Sequence, residues 1–165
     1  MLSSTSKNFR IRRAVPDDAE AIWRLHVESI RMICTADYTP EQIDAWTRPH
    51  QPQNYVDAMA NGEIMFIAED NDRINGFASL IDSEVRAVYV SPSAVRKGVG
   101  AALLAAVESK AIDAGLKTLE LSSSLTAVPF YLSQGYVRGE CDVHRMSGLD
   151  IPCIRMSKKL IDRRN

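Results

Sequence analysis

The chain has 165 residues, 45% of them hydrophobic and 25% charged, with a formal net charge of -1 at pH 7. That length suits one ordinary domain, whose core can stand without disulfide or metal staples. The balanced charge gives no electrostatic reason to expect a nucleic-acid partner, and the longest aliphatic run, Ala101–Val107, is far too short to span a bilayer.

Residues 1–8 are polar and are expected to be loose, leaving 9–160 as a single domain. The opening MLSSTSKNFR lacks the apolar stretch of a signal peptide, so a cytoplasmic location is expected. Phe9–Ala14 reads as a first strand. Pro16-Asp17-Asp18 then opens a helix, since Pro suits a first turn and acids suit the positive end of the helix dipole. Ala19, Ile22, Trp23, Val27 and Ile30 recur on that helix at helical spacing. Thr39-Pro40-Glu41-Gln42 starts a second helix, with Thr39 as cap and Gln42 reaching back, and it stops before Pro49. A short third helix spans Pro52–Ala60 and ends at Asn61-Gly62.

Three strand-like runs follow: Glu63–Glu69, Ile74–Ile81 and Glu84–Ser91. Asn71-Asp72 marks a turn between the first two. Gly76, inside the second, implies a bulge or the close approach of another group. Gly98–Ala114 reads as a long helix stopped by Gly115. Thr118–Ser122 is a further strand and Ala127–Gln134 a short helix. Tyr136–Met146 and Ile151–Lys158 form a last hairpin around Ser147-Gly148-Leu149-Asp150. The order β-α-α-α-β-β-β-α-β-α-β-β predicts a mixed α/β fold, antiparallel in its middle with one βαβ crossover.

Cys34, Cys141 and Cys153 form no CxxC pattern and read as free thiols. His26, His50 and His144 are scattered with no HxxxH or HExxH spacing, so no metal site is expected. Each reads more simply as a packed or surface histidine. Trp23, Tyr38 and Trp46 could line a pocket, and packing of the first two helices explains them nearly as well. Lys158, Lys159, Arg163 and Arg164 read as a solvated tail.

The segment EVRAVYVSPSAVRKGVGAALL, Glu84 to Leu104, carries the chemistry. A strand ends near Pro92, and Arg96-Lys97-Gly98-Val99-Gly100 opens the long helix. A helix start leaves backbone N–H groups unpaired, and the aligned dipole favours an anion there. Gly98 and Gly100 leave the backbone open to a diphosphate, while Arg96 and Lys97 add positive charge. Position 103 is Leu, so the third glycine of a dinucleotide fingerprint is missing, and there is no GK[ST] of a P-loop.

With Val90-Ser91-Pro92 upstream, VRKGVG resembles the coenzyme A-binding motif of the GCN5-related N-acetyltransferase family, Q/R-x-x-G-x-G/A. Val95 stands at the motif's first position, which leaves the pyrophosphate to backbone amides and to Arg96 or Lys97. Downstream, SLTAVPFYLSQGY is similar to the family's N-x-x-A-x-x-x-Y-x-x-x-G-F. Ala127, Tyr131 and Gly135 match, Tyr136 stands for Phe, and Ser124 replaces Asn. ADYTPEQIDAW also resembles a bacterial branch of the family.

The resemblance implies an acyltransferase fold, with a mostly antiparallel, splayed sheet flanked by helices. It implies an enzyme that moves an acetyl group from acetyl-coenzyme A to a primary amine by direct attack in a ternary complex. Val88, Tyr89 and Val90 would then lie along the cofactor's pantetheine arm, with Arg96, Lys97, Gly98, Val99, Gly100, Ala101 and Ser124 around the rest of it. Tyr131 would be the general acid for the thiolate, against the plain reading of a tyrosine packed on the sheet. Glu84, 14 residues before Gly98, matches the offset of a catalytic glutamate in the histone-acetylating branch and is the candidate base, against a solvated strand-end Glu paired with Arg86. The expected acceptor is a small molecule, with no nucleic acid and no membrane. A protein acetyltransferase and a silent acyl-coenzyme A sensor are the alternatives. Among assemblies a homodimer is the one to test first, being the commonest among soluble oligomers.

Overall fold

A computed structural model describes residues 8–161. The expected loose segment, apart from Asn8, and the arginines at 163 and 164 lie outside them. Twelve main elements follow the expected order: β1 (Arg10–Arg13), α1 (Ala19–Ile33), α2 (Pro40–Thr47), α3 (Pro52–Ala60), β2 (Ile64–Asp70), β3 (Arg73–Ile81), β4 (Glu84–Val90), α4 (Val99–Asp113), β5 (Thr118–Ser124), α5 (Val128–Ser133), β6 (Val137–Met146) and β7 (Leu149–Lys159).

The strands form one sheet in the order β1-β2-β3-β4-β5-β7-β6. Every neighbouring pair is antiparallel except β4 and β5, which α4 joins as the crossover. Alternation along the central strands sends side chains to two opposite cores. Ala68, Ala78 and Leu80 meet Leu103, Leu104 and Val107 of α4, while Met65, Ile67 and Phe77 meet Ile22 and Leu25 of α1 and Tyr55 of α3.

Local signals explain most boundaries. Thr39 Oγ1 accepts from the Gln42 N–H at 3.1 Å, and Gln42 Oε1 accepts from the Thr39 N–H at 3.0 Å, the reciprocal cap expected at α2. Asp18 does more than complement the α1 dipole. It accepts from the Val15 N–H at 2.8 Å and pairs with Arg12 at 2.9 Å, and Arg12 also holds Glu69. The buried stripe of α1 is Ala19, Ile22, Leu25, His26, Ser29 and Ile30, with Trp23 and Val27 at its margin.

The last hairpin turns more tightly than its sequence implies. Met146 pairs with Leu149, leaving Ser147 and Gly148 as a two-residue turn at φ 49° and 82°. Two positive φ angles fit the right-handed twist of the flanking strands. No helix among the described residues is long and apolar enough to cross a membrane.

Candidate active site

The sheet opens where β4 leaves β5. The two strands pair only at Glu84 with Glu120 and Val85 with Leu121. Beyond Val85, β4 keeps its pairing to β3 through Val90, while β5 runs on beside β7 as far as Ser124. The backbone of β4 from Arg86 onward therefore faces a slot on its β5 side, with no strand partner there.

The slot encloses about 470 Å³ and runs from this free edge to the start of α4. Gly98 caps α4 at φ 81°, and Arg96 in the preceding loop is also left-handed at φ 62°. The first N–H groups of a helix have no partner within it. A Cβ added at Gly98 would meet nothing within 4 Å, whereas one at Gly100 would come within 3.3 Å of Phe130 and 3.5 Å of Val90. A bare backbone beside open space at a helix start is a cradle suited to a diphosphate.

Val88, Tyr89, Val90, Arg96, Gly98, Val99, Gly100, Ala101 and Ser124 all border this slot, and Tyr131 borders it from α5. Lys97 is exposed on the loop and does not line the wall. Phe130, Thr126 and Ser29 also line the slot, and no local pattern marks them for it. Tyr131 is buried and its hydroxyl makes no hydrogen bond to any described residue. Burial pushes its phenol well above the ordinary range, so it holds its proton at neutral pH.

A second cavity of about 470 Å³ lies on the other side of β4. Val85, Arg86, Ala87, Tyr89 and Ser122 border both spaces and form the wall at which they meet. Glu84 borders the second cavity alone, so the structure sets Glu84 and Tyr131 in adjoining spaces. Glu63, Ser79 and Arg86 join Glu84 there. Ser79 donates to Glu63 Oε1 at 3.3 Å. Burial raises the Glu63 carboxyl above the usual carboxylate range, against the opposing pull of Arg86. Glu63 escaped the sequence reading because its partners come from β3 and β4.

The rest of this cavity is aromatic. Trp46 packs edge-on against Tyr38, with ring centres 5.3 Å apart. Tyr38 donates to the Pro152 carbonyl at 2.6 Å and accepts from the Leu125 N–H at 2.9 Å, tying the α1–α2 loop to β7 and to the loop before α5. Both hydrogen bonds hold the neutral phenol in place, and burial pushes it up to about 12. His26, His50 and Tyr55 complete the wall. Cys34 borders the slot and Cys153 the second cavity, and burial raises both thiols, which keeps them protonated. Among the described residues, no group of three or more His, Cys, Asp or Glu side chains is placed to hold a metal ion.

A strand edge released beside a glycine-capped helix start can receive an extended ligand that ends in a diphosphate, and comparison with known proteins names the class. The family model described as an acetyltransferase (GNAT) domain matches residues 34–160. The chain is 27% identical to the uncharacterized N-acetyltransferase YafP of Escherichia coli (strain K12) over 129 residues, covering 78% of this chain and 81% of that protein. A GCN5-related N-acetyltransferase structure from Rhodopseudomonas palustris superposes with a TM-score of 0.87 at 29% identity, covering 92% of this chain and 95% of that one. The PaiA N-acetyltransferase of Thermoplasma acidophilum, solved in complex with coenzyme A, shares the fold with a TM-score of 0.72 at 22% identity, over 92% and 98% of the two chains. The chain belongs to the GCN5-related N-acetyltransferase (GNAT) family and is an acetyl-coenzyme A-dependent acyltransferase.

Proposed function

We infer that this enzyme acetylates a primary amine of a small molecule bound in the second cavity. The observation that carries the reading is the lining at Val85–Ala87, Tyr89 and Ser122, which the slot shares with an adjoining cavity of about 470 Å³. That volume suits a compact ligand. Acetyl-coenzyme A is the co-substrate and supplies the activated acyl group.

In this reading the free edge of Val88, Tyr89 and Val90 holds the pantetheine arm as an added strand would. Gly98, Val99, Gly100 and Ala101 present backbone N–H groups to the pyrophosphate, Arg96 and Lys97 add charge, and Ser124 closes the slot from β5. Glu84 takes a proton from the incoming ammonium, and Glu63 beside it adds a second carboxyl that favours a cationic group. Tyr131 gives its proton to the departing thiolate. The attack is direct, so neither buried thiol is required as a nucleophile.

The test is thiol release from acetyl-coenzyme A with benzylamine, tyramine, glycinamide and lysine as acceptors, alongside a lysine-containing peptide. Faster release with one or more of the small amines than with the peptide is expected. Preference for the peptide would favour a protein acetyltransferase, and release with none of them a silent acyl-coenzyme A sensor.

A further inference from the structure

The second cavity holds a buried polar group that the proposed roles leave unused. His26 lies one helical turn after Ile22, on the stripe that α1 buries. Its Nδ1 is 2.7 Å from the Tyr55 hydroxyl. Its Nε2 is buried and has no hydrogen-bond partner among the described residues. Buried polar atoms are nearly always paired, and an orphan calls for an explanation.

The surroundings are well defined. His50, on the loop between α2 and α3, stands edge-on with ring centres 4.6 Å apart. Tyr55 approaches from α3, Phe77 from β3 at 5.2 Å, and Tyr89 from β4 at 4.2 Å. Glu63, Glu84 and Arg86 are the charged groups of the same cavity. Tyr89 belongs to the wall shared with the cofactor slot, so the His26 ring stands beside the junction of the two spaces. Burial, with His50 next to it, keeps the imidazole neutral far below the ordinary histidine range.

Acetylating an ammonium requires the loss of two protons. One leaves before attack and one leaves as the amide forms. A neutral imidazole with one free lone pair is suited to the second.

We propose that His26 donates its Nδ1–H to the Tyr55 oxygen and uses the Nε2 lone pair to accept the second proton of the acceptor amine. The inference rests on the acetyl-transfer reading above. As the nitrogen–carbonyl bond forms and the carbon–sulfur bond breaks, the remaining surplus N–H bond breaks and its proton passes to Nε2. The Tyr131 proton goes to the thiolate. The imidazolium then releases its proton to solvent, and Tyr131 regains one from solvent. Tyr55 is a positioning residue, since it fixes the tautomer that exposes the lone pair.

The tautomer is read directly by nitrogen-15 NMR of the histidine rings in the whole protein. A neutral Nδ1–H ring at His26 across pH 6 to 8 is expected. An Nε2–H ring or an imidazolium in that range would overturn the proposal. The kinetic arm uses the fastest amine of the panel. His26→Gln should lower kcat/KM about 100-fold or more, in the usual range for a lost acid–base group. Tyr55→Phe should lower kcat/KM and change its dependence on pH. Both variants should keep acetyl-coenzyme A affinity within about twofold of wild type, since neither residue borders the slot. If His26→Gln does not fold, Tyr55→Phe and the tautomer carry the test. Folded variants with wild-type kcat/KM and pH profile would sink this proposal alone. An inactive wild type would sink the acetyl-transfer reading instead.

Discussion

Gly76→Ala should destabilise the protein and loosen its grip on the cofactor together. Gly76 sits on β3 opposite Val90, where β3 passes beneath the start of α4. A Cβ there would lie 2.9 Å from the Tyr89 carbonyl oxygen, 2.9 Å from Leu103 Cδ1 and 3.1 Å from Val99 Cγ1. Leu103 can swing aside, but the carbonyl is backbone in the neighbouring strand and cannot. Overpacking of this kind costs about 1–3 kcal/mol. Alanine returns about 0.5–1 kcal/mol by stiffening the unfolded chain. The net loss is about 0–2.5 kcal/mol, centred near 1 kcal/mol, which for a chain of this size lowers Tm by about 2–4 °C at that centre. Tyr89 and Val99 stand on two sides of the slot, so relief by moving β4 or α4 reshapes the cradle as well. Calorimetric melts, with and without acetyl-coenzyme A, provide the assay. A Tm equal to or above wild type, with unaltered cofactor affinity, would refute the packing argument.

Two further predictions follow from the site. Tyr131→Phe removes a hydroxyl that bonds no described residue, so stability should stay within about 0.5 kcal/mol while turnover falls about 100-fold or more. Equal turnover in a thiol-release assay would remove the acid role. His26 and His50 are both held neutral by burial, with folded values below the ordinary histidine value of 6.5. Their contribution to stability is fully present above pH 6.5 and fades as pH falls below it, because the unfolded chain binds the protons first. For His26 the slope is about 1.4 kcal/mol per pH unit until its folded value is reached. Denaturant titrations between pH 7 and pH 5 should show that fall, and it should be smaller in His26→Gln.

Much of the fold could be read from local chemistry. Thr39-Pro40-Glu41-Gln42 is a complete cap, and Asn71 and Asp72 take the positive φ angles, 48° and 64°, that their turn requires. The glycine-capped helix start proposed as the cofactor cradle was legible for the same reason, since it depends on contiguous backbone from Arg96 to Ala101. Tyr131 was visible only through its motif, because nothing local distinguishes it from any tyrosine packed on a sheet. Gly76 implied a bulge or a close approach, and both occur, since the β2–β3 register shifts beside it and β4 and α4 press against it.

The cavity proposed for the acceptor was far less legible. Its wall gathers α1, α3, the loop after α2 and the starts of β2 and β4, and no spacing rule links residues so far apart in sequence. Glu63 looked like the edge of a strand until Ser79 and Arg86 came beside it. A faint signal for His26 did exist. His26 and Ser29 are polar residues on the buried stripe of α1, where helical spacing of apolar residues picks out only Ala19, Ile22 and Ile30, with Trp23 and Val27 at the margin. In the last hairpin, Leu149 and Asp150 continue the strand instead of turning, because the two-residue turn needs only Ser147 and Gly148.

The most direct test of the central claim is calorimetric titration of the wild-type protein with acetyl-coenzyme A and, separately, with acetyl-pantetheine, which lacks the pyrophosphate. A slot ending in a glycine-capped helix start should bind acetyl-coenzyme A at one site per chain, at least tenfold more tightly than the truncated donor. Absence of saturable binding, or equal affinity for the two donors, would contradict the account.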